Sequence, residues 1–139
     1  HYTDTEGQQQ SLHIGSYGVG ITRVMGVIVE KFADDRGIVW PEAVAPYKLH
    51  VVQIGNSGEV VSAAENLCDK AQSWGVSVLY DDTDKRPGEK FADADLLGMP
   101  HRVVVSEKTL EAGKFEYKRR TETETSMVSI EELEKLLTS

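Results

Sequence analysis

The amino-acid sequence predicts an α/β fold: a small mixed β-sheet of about five strands, with a parallel core and an antiparallel edge, flanked by about three helices. Two observations predict this class. Short runs rich in β-branched residues alternate with segments whose apolar residues recur every three or four positions. The order strand, helix, strand, helix, strand requires right-handed crossovers, so these strands are parallel, whereas a further strand after a short loop is antiparallel.

Residues 1–40 are predicted to form a unit separate from the rest of the chain. A short strand is expected over residues 12–17, and an amphipathic helix follows that ends near Phe32. Residues 36–48 contain prolines and cannot form a regular helix, so they predict an extended connection. The second unit is therefore expected to cover residues 41–139.

The second unit contains most of the predicted elements. Its strands are expected at residues 49–55, 76–82, 101–106 and 114–120, with a short edge strand at residues 125–129. Ser57 is placed to cap one helix, and Pro87 is placed to open a second helix that Gly98 ends. Ser129 and Glu132 have the spacing of a capping box, which predicts a last helix.

Composition narrows the classes of function. The 139 residues are 40% hydrophobic and 27% charged, which is ordinary for a globular domain, and no apolar run approaches the roughly 20 residues of a membrane span. The net charge of −8 argues against indiscriminate binding to DNA or RNA, but not against a local RNA-reading face. The first residues lack a secretory signal and Cys68 is the only cysteine, so we expect a reducing compartment. The histidines are scattered without ligand spacing, which predicts no metal site.

The stretch GSYGVGITR, residues 15–23, has the composition of a glycine-rich turn that leads into a helix. Gly18 and Gly20 give a ligand room to approach the backbone, and a helix N-terminus favours anions. Arg23 would add a planar cation for phosphate groups. The same residues also fit a tight turn with Arg23 on the surface, and the sequence lacks the Lys-Ser/Thr pair of a Walker loop.

A second candidate site is the charged segment that follows the second predicted strand. Ligands of such sheets meet the loops at the carboxyl ends of the parallel strands. Carboxylates accept hydrogen bonds from the edge of guanine, while lysine and arginine donate to guanine O6 and to phosphate. A solvated loop with weak surface ion pairs is the alternative. The candidate residues are Asp81, Asp82, Lys85, Arg86, Glu89 and Lys90.

The third candidate is the basic strand KFEYKRR. On a strand, Phe115, Tyr117 and Arg119 share one face, and Lys118 and Arg120 share the other. Lys118, Arg119 and Arg120 are therefore candidates for contact with RNA phosphates. A charged edge that resists aggregation fits the same residues.

Three stretches resemble one family. GSYGVGITR and the following amphipathic helix resemble motif 3 of class II aminoacyl-tRNA synthetases. GIVWPEAVAP resembles the junction between the catalytic domain and the anticodon-binding domain in bacterial-type prolyl-tRNA synthetases, and RPGEKFADADLLGMPHRVVV resembles the centre of that anticodon-binding domain. The likeness runs from about His13 to the C-terminus. Members of the family commonly have arginine where Thr83 stands and an acidic residue where Lys85 stands, so the charge order differs here.

The resemblance implies that the chain is the C-terminal part of a longer enzyme, a cytoplasmic homodimer that attaches proline to its tRNA with ATP and Mg²⁺. Residues 1–40 would then be the motif 3 strand and helix of the catalytic domain, and residues 41–139 the anticodon-binding domain. It implies that Arg23 contacts ATP phosphates beside Gly18 and Gly20, and that the chain alone is inactive, with no catalytic residue, metal or cofactor of its own. The six charged residues after the second strand would read the anticodon of proline tRNA. A nucleotide-binding module and a protein-interaction module that does not bind tRNA are the alternatives.

Overall fold

The computed structural model describes residues 1–139 and confirms the predicted α/β fold, with a five-stranded mixed sheet. The strands are β1 (Tyr2–Thr3), β2 (Gln9–Gln10), β3 (Leu49–Ile54), β4 (Val78–Asp81), β5 (His101–Ser106), β6 (Phe115–Arg119) and β7 (Ser126–Val128). The helices are α1 (Ile21–Phe32), α2 (Gly58–Ser73), α3 (Pro87–Leu97), α4 (Glu107–Glu111) and α5 (Ile130–Thr138), and Glu42–Val44 form a 3-10 turn.

The five-stranded sheet has the order β4-β3-β5-β6-β7. β3 pairs in parallel with both β4 and β5, and the helices α2 and α3 make the crossovers that parallel pairing requires. β6 is antiparallel to β5, and β7 is antiparallel to β6. The parallel core and antiparallel edge therefore agree with the prediction.

The main hydrophobic core lies on one face of the sheet, under α2 and α5. It is a cluster of 14 buried residues, in which Val51 and Val103 of the central strands meet Leu67 of α2 and Leu133 of α5. On the opposite face α3 packs through a much smaller cluster, Val52, Ala94 and Val104. The second face of the sheet is therefore covered less completely than the first.

The predicted helix ends at Ser129 and Gly98 have their expected capping geometry. Ser129 Oγ accepts a hydrogen bond from Glu132 N at 3.3 Å, and Glu132 Oε2 accepts one from Ser129 N at 2.8 Å, so the capping box has formed. Gly98 ends α3 in the left-handed region with φ of 70°. Ser57 occupies the N-cap position of α2, but its side chain makes no capping hydrogen bond.

One prediction of secondary structure was wrong, and one helix was not predicted. Residues 12–17 are exposed and form no strand, because a strand requires a neighbour to bond its backbone and none lies beside this segment. The first residues instead form the short β1–β2 hairpin, whose turn is held by Asp4 Oδ1 accepting from Glu6 N and Gln8 N. The sequence analysis also missed α4, because five residues are too few to show a helical period.

Residues 34–41, which we call the strap, lie against the C-terminal end of α3. Ile38 N donates to Leu96 O at 3.1 Å, and the backbone and indole nitrogens of Trp40 donate to Gly98 O and Leu97 O. The approach is so close that a Cβ atom on Gly98 would lie 1.8 Å from Ile38 O. The connection predicted as extended is therefore fixed to the second unit by backbone contacts.

The helix α1 buries none of its residues. Its apolar side chains are largely open to solvent, with Ile21 83% exposed and Met25 52% exposed. None of the helices combines the length and the apolar character that crossing a bilayer requires.

The strap contact makes a testable prediction about Gly98. Gly98→Ala places a β-carbon where φ is 70° and where Ile38 O blocks it, whereas Gly75→Ala meets the same left-handed strain at φ of 77° in open space. We expect Gly75→Ala to lower the free energy of unfolding by about 1–2 kcal/mol from backbone strain alone. Gly98→Ala should cost about 1–3 kcal/mol more, because the strap must move. Urea denaturation of both variants measures the difference, and equal losses would contradict the close contact.

The buried thiol makes a second prediction. Burial, with smaller effects of Asp69 and Glu65, raises the pKa of Cys68 to about 11 from an ordinary value of 9.0. Because the thiolate is the reactive form, its fraction at pH 8 falls roughly a hundredfold on folding. We expect an aromatic disulfide reagent to label Cys68 at least about a hundredfold more slowly in the native chain than in urea. Similar rates in both conditions would contradict the burial of Cys68.

Candidate nucleic-acid interface

The six charged residues predicted to read an anticodon lie at the C-terminal end of β4 and the start of α3. Asp82, Lys85, Arg86 and Glu89 are exposed, and Asp81 is half-buried. Two of the exposed side chains already have partners, because Lys85 Nζ lies 2.6 Å from Asp93 Oδ2 and Glu89 Oε2 accepts from the N-cap nitrogen of Arg86 at 3.1 Å.

Asp81 is fixed by its neighbours. Its Oδ1 accepts hydrogen bonds from the backbone nitrogen and the hydroxyl of Thr83, at 3.0 and 2.6 Å. Burial tends to raise the pKa of Asp81, but the Thr83 hydrogen bonds and the nearby Lys90 ammonium together leave that pKa below its ordinary value. The carboxylate is therefore ionised and held in place at neutral pH.

Lys90 does not have the position that the sequence analysis expected. It is only 3% exposed, and its Nζ donates to Gln53 O at 2.7 Å and to Asp81 O at 3.2 Å. The same ammonium lies 3.5 Å from Asp81 Oδ1. The expectation of an open contact with RNA is therefore corrected: in this structure Lys90 joins the ends of β3 and β4 beneath the loop.

The three basic residues expected to contact phosphates fall into different environments. Lys118 is partly exposed on the α3 side of the sheet, and Arg119 Nε donates to Tyr117 Oη at 3.3 Å on the other side. Arg120 is 5% exposed and forms two hydrogen bonds with Asp34, at 2.6 and 2.8 Å. Its predicted contact with RNA phosphate is corrected, because this guanidinium is buried and paired with Asp34 of the strap.

The structure adds a cluster that the sequence analysis missed. Arg102 projects from β5 on the α3 side of the sheet, 4.8 Å from the centre of the Phe91 ring, and its Nη1 lies 3.7 Å from Asp95 Oδ1. Lys118, opposite Arg102 on β6, lines the same shallow depression as Arg102 and Asp95. We call Phe91, Asp95, Arg102 and Lys118 the α3-side cluster.

The α3-side cluster has hydrogen-bonding capacity that its own contacts do not use. Arg102 Nε is buried and has no hydrogen-bond partner, and the 3.7 Å between Arg102 Nη1 and Asp95 Oδ1 is too long for a hydrogen bond. Burial lowers the pKa of Arg102, while the Asp95 carboxylate acts in the opposite direction. A guanidinium beside an aromatic ring and a carboxylate offers stacking, donors and acceptors in one place, which suits an unstacked base.

One signal in the sequence could have indicated this cluster. Arg102 interrupts the run HRVVVS, which otherwise has no charged residue, and alternation places it on the face opposite Val103. The sequence alone does not show that Phe91 and Asp95, on a different element, lie beside it.

The residues predicted to contact ATP lie apart from the sheet. Gly18, Gly20 and Arg23 are all exposed, and α1 begins at Ile21 without a side-chain cap or an acidic first turn. Because none of the residues of α1 is buried, this segment does not enclose a nucleotide by itself.

The burial of Lys90 makes a testable prediction. Lys90→Met removes a buried donor from Gln53 O and Asp81 O, and we expect the free energy of unfolding to fall by about 1–3 kcal/mol. Lys85→Met is the matched control, because it removes an ammonium that pairs with a carboxylate on the surface, and little change is expected. Thermal denaturation compares the two variants. A larger loss of stability for Lys85→Met than for Lys90→Met would contradict the buried hydrogen bonds of Lys90.

Comparisons with known proteins identify the family of this chain. The sequence model of a family described as "Anticodon binding domain" matches residues 48–139. A proline–tRNA ligase of Leptothrix cholodnii is 44% identical over 134 residues, which cover 95% of this chain and 23% of that protein. A proline–tRNA ligase of Acidithiobacillus ferrooxidans is 46% identical over 123 residues, which cover 87% of this chain and 22% of that protein.

The relatives are much longer than this chain. A proline–tRNA ligase of Legionella pneumophila is 43% identical over 130 residues. That match covers 92% of this chain but only 23% of the relative. The chain therefore spans about a quarter of the length of the curated relatives it matches. The resemblance inferred from the sequence is confirmed, and the chain belongs to the anticodon-binding domain family.

Proposed function

We propose that this chain recognises the anticodon loop of proline tRNA. The observation that carries the proposal is the family match over residues 48–139, the part of the chain in which Arg102 lies beside Phe91 and Asp95. The names of the matched relatives, all proline–tRNA ligases, support proline tRNA as the RNA concerned.

The α3-side cluster has the chemistry to read guanine, and proline anticodons end in two guanines. The Asp95 carboxylate accepts from the N1–H and N2–H₂ groups of the base, and the Arg102 guanidinium donates to O6 and N7. The Phe91 ring supports the Arg102 guanidinium, which lies over it at 4.8 Å. Lys118 is placed to contact a phosphate beside that base.

The loop between β4 and α3 would form a second part of the interface. Asp82, Lys85, Arg86 and Glu89 are exposed at the carboxyl end of the sheet, where ligands of α/β folds bind. Lys90 would contribute indirectly, because it lies beneath the loop and fixes the end of β4 and the carboxylate of Asp81.

At the level of the whole protein, we propose that the chain works as part of an enzyme that attaches proline to its tRNA. ATP and Mg²⁺ would be bound by that enzyme, with Arg23, Gly18 and Gly20 contributing to the nucleotide site only when other residues enclose it. A homodimer acting in the cytoplasm fits the same proposal. The chain by itself is expected to be inactive in proline attachment.

The experiment is a comparison of two RNA hairpins. The chain should bind a proline-tRNA anticodon stem-loop more tightly than the same hairpin with both guanines changed to adenines. Arg102→Gln should reduce that preference by roughly tenfold or more, because a bidentate contact to a base is lost. Fluorescence anisotropy at stated, low salt measures both affinities.

The control for Arg102→Gln is Lys70→Gln, which removes one positive charge from α2, the helix packed on the opposite face of the sheet. Lys70→Gln should leave the preference unchanged. Equal binding of the two hairpins by the unmodified chain would contradict the proposed function. An unchanged preference in Arg102→Gln would remove the α3-side cluster from the site.

A further inference from the structure

The strap reaches the α3-side cluster, although it lies outside the segment that matches the family, residues 48–139. Arg36 Nη1 of the strap lies 3.4 Å from Asp95 Oδ2, and Arg102 Nη1 of β5 lies 3.7 Å from Asp95 Oδ1. One carboxylate is therefore shared by two guanidinium groups, and each of them faces a different oxygen atom.

Arg36 is held in this position by its own surroundings. Its backbone nitrogen donates to Asp34 Oδ1 at 2.9 Å, and its Nη2 lies 3.6 Å from Asp34 Oδ2. Asp34 is in turn fixed by the buried Arg120, whose Nε donates to Asp95 O at 3.0 Å. The contacts close a ring in which Asp34, Arg120, Asp95 and Arg36 are each bound to the next.

The backbone of the strap adds a second constraint. Gly37 has φ of 144°, and a β-carbon at this position would lie 2.4 Å from Leu96 Cα. Ile38 N donates to Leu96 O, the residue after Asp95. The backbone of Arg36 therefore has little freedom to move along α3 relative to Asp95.

We propose that Arg36 is a positioning residue for recognition of guanine, so that the reading site extends into the strap. This inference rests on the proposed function. Arginine and a carboxylate readily close into a bidentate pair, which would use both the Asp95 oxygens and the donors of Arg102. By holding Asp95 Oδ2, Arg36 prevents that closure and leaves Arg102 and part of the Asp95 carboxylate available to a base.

The test uses Arg36→Gln in the full chain, with the two hairpins described above. Arg36 is exposed, and the Arg120–Asp34 contact remains, so the variant should fold, which a thermal melt confirms. We expect the preference for the guanine hairpin to fall by roughly fivefold to tenfold, while affinity for the adenine hairpin stays within about twofold. Arg36→Lys, which retains the charge, should recover part of the preference.

The matched control is Lys31→Gln, an exposed cation at the end of α1 just before the strap, which should leave the preference unchanged. Equal weakening of both hairpins with a reduced salt dependence would overturn the proposal, because it would mean that Arg36 contacts a phosphate instead. An unchanged preference in Arg36→Gln would overturn it too. If the unmodified chain itself fails to distinguish the hairpins, the proposed function fails and this inference fails with it.

Discussion

The arrangement of the strap, α3 and β6 depends on the contacts of the Arg120 guanidinium. This residue is almost fully buried, and it bonds Asp34 of the strap twice and the backbone of α3 once, while its own backbone continues β6. A buried charge without a partner is strongly destabilising, so the strap and the sheet must come together for Arg120 to be accommodated. The same contact holds the pKa of Asp34 far below its ordinary value and raises the pKa of Arg120. Asp34 therefore stays ionised, and the contact intact, throughout the neutral range.

The two faces of the sheet differ in how completely they are packed. The face under α2 and α5 is filled by apolar side chains and closes the main core. The other face is covered only in part by α3, and two buried polar atoms on it, His50 Nδ1 of β3 and Arg102 Nε of β5, have no hydrogen-bond partner. A buried or half-buried polar group without a partner is unfavourable in the free protein, and it becomes useful when a ligand supplies the missing partner. This difference in packing explains why the proposed RNA contacts lie on the α3 side.

The sequence indicates the loop after β4 as a candidate site, but it does not indicate the α3-side cluster. The loop after β4 was identified from its charge and from the rule that ligands meet the carboxyl ends of parallel strands. Lys90 and Arg120 lie among other charged residues in the sequence, which predicts contact with RNA, but both are buried. Arg102 was missed because it lies within an otherwise apolar strand, where its neighbours along the chain resemble core residues. Charge alone did not distinguish a side chain that meets solvent from one that bridges two elements.

The sequence alone predicts the main helices and strands, the helix ends at Gly98 and Ser129, and the parallel core with its antiparallel edge. These features follow from interactions between residues close in the chain and from the order of the elements. Two long-range contacts are visible only in the folded chain. Arg36 lies beside Asp95, 59 residues away along the chain, and Arg120 lies beside Asp34, 86 residues away. Such pairs depend on how α3, β6 and the strap pack against one another. Hydrophobic periodicity records which face of an element is buried, but it does not record which distant charge that face will meet.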